Sequence, residues 1–461
     1  MQHAVNPLAG LAAFSSGVQV DSCPDAVVVK ARALLLYGLA VGAASAAAPG
    51  LACVMAALRA EYGPEGSATC LIDGSRMGLG GAAFCNAVLC HTRIQDDAHP
   101  AGHMGTVILP AALALGETRA CSGTELLAAL ISGYEVSLRI GRDHATDLSV
   151  RGFRTTPIYG AFGAAAACAR LLRLDAVRTL HALALTTHGA AGLREFADSG
   201  TDEYPFQAGV AARNGITSAL LAAEGVVGTP TALTGRAGLY RAYGLPDKNY
   251  AHRLLAGLGG DFELEKVTYK PYPGGQFHRG VIRGFAALRA HAKGREIESA
   301  QVHMHPFEAG YLGLNHKGPF QTYSQAFFSV PFCAALAWLH GTVTFEALHR
   351  FDDTAVLSIV EGIAVVSDVS RERYKPFIRV VLKDGVTLEW QDDAGEQGYE
   401  LTWSAATAMA HALCAEAGVS DAKCTALIDV VAHIETLSTV TPLVSTARAV
   451  AAAIAPKNQA V

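Results

Sequence analysis

From Ala33 to Leu58 the chain carries no charged side chain, and a stretch of that kind cannot be left in water. It must lie across a membrane or inside a protein core. Its length alone fits a membrane span. It is diluted with Ala and Gly, however, and interrupted by Pro49. Ala48-Pro49-Gly50 reads as a turn, so two buried helices joined there are expected in place of a transmembrane helix. The opening ten residues have neither the basic n-region nor the apolar h-region of a secretory leader. A cytoplasmic protein with no membrane association is the expectation.

Other helical patterns surround this stretch. Gly80 to His91 and Thr106 to Leu115 are apolar on nearly all sides, the latter opening near Pro110. Glu125 to Gly141 has helical spacing behind the potential caps Ser122 and Thr124. Tyr159 to Leu172, Ala176 to Thr187 and Ala208 to Gly225 continue the series, with Asp143 to Arg151 and Glu195 to Gln207 as links. Near Phe262 the texture changes. Ser299 to His305 and Ile363 to Ser367 read as strands, with helices over Gln325 to Leu339 and Val356 to Glu361. Ile378 to Leu382 and Val386 to Trp390 flank Lys383-Asp384-Gly385, a hairpin signal. Ser404 onward is helical again, to about Ile454. The fold class is mainly α: a helical domain over residues 1–265 and 404–461, with an α+β lid domain over 266–403.

Composition narrows function. The formal net charge of −5 leaves no basic surplus for phosphates, so nucleic acid is excluded as a partner. An anionic substrate therefore needs a local concentration of cations. The ten cysteines show no CxxC pair and no zinc spacing, which predicts reduced and mostly buried thiols and no metal. Neither a phosphate loop nor a G-x-S-x-G elbow occurs.

Three polar groups remain. Gln95 to His103 contains Asp96, Asp97, His99 and His103 between two apolar runs. It reads either as acids capping the next helix beside surface histidines, or as a histidine acid/base or anion ligand in a cleft. Its place between buried segments favours the second. Arg154, with Thr155 and Thr156, precedes an apolar helix whose free N–H groups suit a carboxylate, although a solvated loop arginine has the same sequence signature. Lys270 lies in the turn Tyr269-Lys270-Pro271-Tyr272-Pro273, followed by Gln276 and His278. Proton transfer by that lysine requires a lowered pKa; an ordinary surface lysine is the alternative.

Several passages in order resemble the MmgE/PrpD family: Ile108 to Gly116, Ile131 to Val136, Gly160 to Ala165, the Lys270 turn, and Val381 to Gly385. The resemblance implies a helical domain, an α+β lid, a cleft between them, a homodimer, and reactions on small carboxylic acids without a metal or organic cofactor. Asp96, Asp97 and His103 match the family's acidic-histidine loop, and Lys270 matches its KPY lysine. Other positions depart: Arg154 stands where the lyases have a histidine, Tyr204 where they often have a lysine, Phe332 where decarboxylases have a tyrosine, and Ile94 at the first acid of the loop.

These departures remove proton-handling groups and add a fixed cation, which resembles the iminodisuccinate epimerase branch. The leading expectation is therefore a cofactor-independent isomerase, epimerising an iminodisuccinate-like amino polycarboxylate. Lys270, His103, Tyr159 and Tyr204 are its candidate acid/base groups, and Arg154, Asp96, Asp97, Tyr272 and Gln276 its binding residues. A 2-methylcitrate dehydratase or cis-aconitate decarboxylase-like lyase is one alternative. A non-catalytic carboxylate-binding protein is the other.

Overall fold

The computed structural model describes residues 6–454. Residues 1–5 of the leader expectation and residues 455–461 of the expected helical domain lie outside that range. The fold is mainly helical with a small sheet region in its C-terminal part. The charge-free stretch folds as two helices, Asp25–Ala44 and Leu51–Tyr62, parted by a turn in which Gly50 takes φ +82°. Among the described residues, Asp25–Ala44 alone is long and apolar enough to cross a membrane. However, 78% of its most apolar window is buried inside the molecule.

At the centre of the helical body lies Thr155–Leu171, packed against Gly105–Thr118, Gly123–Gly141 and Tyr204–Ala223. Small side chains let these helices approach closely. A Cβ on Gly133 would stand 2.7 Å from the carbonyl oxygen of Gly163, so only glycine fits at that crossing. Ser122 caps Gly123–Gly141 through a capping box with Glu125, satisfying two donors that the first turn leaves open. The helix expected to open near Pro110 instead runs Gly105–Thr118 with the proline inside it. Burial on every side holds that helix together despite the lost backbone bond.

Ile363–Ser367, Ile297–Met304, Phe377–Leu382 and Thr387–Gln391 form a four-stranded sheet in that spatial order. The first pair is parallel and the other two antiparallel. The Asp-Gly hairpin closes between Leu382 and Val386, with Gly385 at φ +83°. His278–Ala292 covers the sheet, with Gly284 set against Trp390 and Ile378. The single helix expected over Gln325 to Leu339 is two, Tyr323–Phe328 and Val330–His340. Ser329 sits extended between them and accepts from Phe332 N, and Pro331 starts the second helix. The expected link Asp143 to Arg151 contains a short helix, Ala145–Val150.

Two hydrophobic cores result. One gathers the helices before Val267 together with the returning helices Trp403–Glu416, Asp421–Ala432 and Thr441–Ala451. The other gathers the sheet segment and receives Ile94, Phe196 and Tyr204 from the helical body. A two-residue ladder, Asp97–Ala98 with Thr268–Tyr269, joins the acidic-histidine loop to the lysine turn. That ladder brings the two candidate groups into contact.

Candidate active site

A cleft of about 840 Å³, counting open solvent at its mouth, lies where these two parts meet. His99, His103, Arg154 and Arg194 line it from the helical body, and Gln276, His278, Tyr311, Arg373 and Tyr374 from the sheet side. Its lining holds three arginines and three histidines, with no Asp or Glu among the lining residues. Two helices also point their N-termini at it, Thr155–Leu171 and His278–Ala292. Unpaired N–H groups and the aligned peptide dipoles there favour an anion.

Both principal imidazoles have defined tautomers. His103 Nδ1 is 2.6 Å from the carbonyl oxygen of Asp97. A carbonyl only accepts, so the proton sits on Nδ1 and Nε2 is left as the basic nitrogen. For His278 the roles reverse: Nε2 donates to Phe328 O at 2.9 Å, and the buried Nδ1 lies beside the backbone of Gly275. Burial pushes His278 down to about 4 and drives His103 well below the usual histidine range, with Lys270 adding to the latter. Both rings are therefore neutral in the unliganded cleft.

Behind Arg154 runs a chain of buried polar groups. Its Nη1 donates to Tyr204 O at 2.6 Å, and its Nη2 donates to Nε2 of His91. His91 Nδ1 stands 3.1 Å from Asp96 Oδ1, and Lys270 Nζ donates to Asp96 Oδ2 at 3.1 Å. Burial lowers His91 to about 4; Arg154 adds to this and Asp96 opposes it. Burial alone would raise the Asp96 carboxyl, but His91 and Lys270 outweigh it and hold Asp96 well below the usual range. Arg154 falls to about 10 by burial and stays protonated at neutral pH.

The other expected site residues divide sharply. His103, Arg154 and Gln276 line the cleft, Gln276 being held by Glu396 at 2.6 Å. Asp97 does not face it. Its carboxylate accepts from Gly105 N and Tyr134 Oη, the helix-capping alternative, and burial with Asp96 pushes it up to about 7. Lys270, fully buried, spends its ammonium on Asp96. Tyr159, expected as an acid/base, is buried with its hydroxyl 2.8 Å from His144 Nδ1. Tyr204 donates its hydroxyl to Thr92 O. Tyr272 packs on the sheet-side core. None of Lys270, Tyr159, Tyr204 or Tyr272 lines the cleft, because each side chain is captured by a nearer partner or by the core.

A model of the MmgE/PrpD N-terminal domain matches residues 9–250, and one of the C-terminal domain matches 272–433. The chain belongs to the MmgE/PrpD family. Among its curated relatives are the cis-aconitate decarboxylase-like protein oryM of Aspergillus oryzae, 32% identical over 233 residues (48% of each chain). The human cis-aconitate decarboxylase is 31% identical over 221 residues, 46% of this chain and 44% of that one. The mouse enzyme is 28% identical over 324 residues, 68% of this chain and 61% of its own. The match thus spans about half the length of the first of these relatives. The isomerase expected from the sequence is corrected by these family members, whose names are those of decarboxylases, hence lyases.

The family departures also take on physical meaning. Phe332 is wholly buried against Phe320 and does not line the cleft. Ile94 does line it, at φ +52°, a costly conformation for a β-branched residue. Residues without a motif also reach the cleft, Arg194, Tyr311 and the adjacent Arg373 and Tyr374, from three separate segments. Arg194 lies over the Tyr311 ring at 3.9 Å, and Arg373 over Phe307 at 4.4 Å. Only tertiary structure brings them together. His91 left a weak sequence trace as a histidine closing a buried helix.

Proposed function

We propose that this member of the family is a lyase that decarboxylates a small unsaturated polycarboxylate of the cis-aconitate class. The observation that carries the reading is the cleft lining of three arginines and three histidines with no acid, in a chain whose net charge is −5. Such a lining selects an anion with several carboxylates. The decarboxylase names of the relatives favour carbon–carbon cleavage over loss of water.

In the proposed reaction Arg154, Arg194 and Arg373 hold the carboxylates. The bond between the methylene carbon and its carboxylate breaks, CO₂ leaves, and the electron pair forms a terminal C=CH₂. The former double-bond pair moves to the carbon beside another carboxylate, where negative charge accumulates. Fixed guanidinium groups stabilise that enolate-like state more than the substrate, which is the source of rate acceleration. A proton then adds to that carbon, from His103 or His278. Both are neutral in the empty cleft, and a bound polyanion favours the charged form of each. One carboxylate about 4 Å away contributes roughly 4 kcal/mol at an effective dielectric of ~20. That is enough to bring an imidazole from about 4 to near neutrality.

Proton NMR of cis-aconitate with the purified protein in D₂O tests the proposal. Vinylidene protons, one deuterium per product and released CO₂ are expected. Addition of water without CO₂ would make the protein a hydro-lyase, and tight binding without turnover a non-catalytic carboxylate binder; either outcome ends the decarboxylase reading. A homodimer is proposed on the family resemblance, and a single-chain mass by light scattering would end that part.

A further inference from the structure

Arg154 is buried, yet neither of its polar partners is a carboxylate: it donates to the carbonyl of Tyr204 and to the imidazole of His91. Buried guanidinium groups are ordinarily matched by an acid. A carboxylate is close at hand, since Asp96 lies one imidazole away at 3.1 Å from His91 Nδ1, but its charge is shared with Lys270.

We propose that His91 is a positioning residue that insulates Arg154 from Asp96, fixing the guanidinium through a neutral ring and so keeping its positive charge for a substrate carboxylate. The hydrogen bonds dictate the tautomer. Arg154 has only donors, so Nε2 of His91 must present a lone pair. Ionised Asp96 only accepts, so Nδ1 must carry the hydrogen. The neutral Nδ1–H ring satisfies both, whereas an imidazolium would set one N–H against another and a cation beside a cation. The groups facing His91 are Asp96, Arg154, Lys270, the His103 ring at 6.1 Å and the Tyr204 ring at 5.3 Å. Burial, Arg154 and Lys270 disfavour the imidazolium, and only Asp96 favours it. These two partners engage two of the five N–H groups of Arg154, and the residue lines the cleft.

This inference rests on reading the cleft as a carboxylate site, and two measurements on the full chain separate the two ideas. The first is imidazole ¹⁵N NMR, assigned with His91→Gln: His91 is expected as the neutral Nδ1–H tautomer throughout pH 6 to 8. An imidazolium at pH 7, or an Nε2–H ring, overturns the proposal whether or not any ligand binds. The second is calorimetric binding of propane-1,2,3-tricarboxylate, a saturated probe that cannot react as proposed. His91→Gln, whose amide oxygen accepts from Arg154, is expected to bind within about threefold of wild type. His91→Glu puts a carboxylate on Arg154 and is expected to weaken binding by at least about tenfold, roughly 1.4 kcal/mol. Equal binding by a folded His91→Glu overturns insulation. If wild type binds the probe but never decarboxylates cis-aconitate, the functional reading alone fails.

Discussion

Lys270 Nζ lies 3.1 Å from Asp96 Oδ2, both side chains having no solvent exposure. The pair is closed by the ladder between Asp97–Ala98 and Thr268–Tyr269, which fixes the lysine turn against the acidic loop. Removing one partner strands a buried charge. Asp96→Asn is expected to destabilise the protein by about 3–5 kcal/mol. The double variant Asp96→Asn with Lys270→Met should recover much of that loss. Urea unfolding of both checks the coupling; a double variant no better than the single one would dissolve the pair as an energetic unit.

Arg154→Ala is expected to lower kcat/KM for cis-aconitate by about 10²–10³-fold, the size found for removing one preorganised electrostatic donor. Arg194→Ala and Arg373→Ala should act in the same direction. Steady-state kinetics at fixed ionic strength measures all three. Activity within a few-fold of wild type for Arg154→Ala would remove the guanidinium from the proposed site.

His91, His144 and His278 are each pushed down to about 4 by burial. An unfolded histidine titrates near ~6.5, so below that pH the unfolded chain binds more protons than the folded one. Their contribution to stability is full above about pH 6.5 and is lost as pH falls toward 4. A melting temperature that declines steeply between pH 6.5 and 5 is expected. His144→Gln keeps a partner for the Tyr159 hydroxyl without the titration, and should show a shallower decline. An unchanged slope would mean that His144 titrates normally.

Asp97 moves the other way. Burial and the neighbouring Asp96 raise its carboxyl to about 7, so the folded state binds the extra proton between about pH 4 and 7. Stability from this group is present at low pH and lost as pH rises through 7. Asp97→Asn is expected to improve stability at pH 8 relative to its effect at pH 5. Identical effects at the two pH values in chemical denaturation would contradict this.

At the Gly133–Gly163 crossing, a methyl on Gly133 would meet Gly163 O at 2.7 Å and Ile108 Cγ2 at 2.9 Å. Gly133→Ala is expected to cost about 1–3 kcal/mol through overpacking, despite alanine's better helix propensity. A neutral or stabilising result in urea would show that the helices part without strain.

Periodicity and turn chemistry by themselves determined those elements whose signals are local. The charge-free stretch broken at Pro49, the Ser122 cap and the Asp384-Gly385 hairpin all act through residues a few positions apart, so their physics is written locally. His103 and Arg154 were legible for the same reason, as polar residues at helix entrances. Tertiary structure alone decided what each polar side chain touches. Asp97 and Asp96 are neighbours in sequence, yet one caps a helix and the other pairs with a lysine 174 residues away. Tyr159 and Tyr204 were drawn to His144 and Thr92, while Arg194, Tyr311 and Arg373 arrived in the cleft from distant segments. A buried hydrogen bond is made with whichever partner the packing brings within about 3 Å, and for most of this site that partner is remote in sequence.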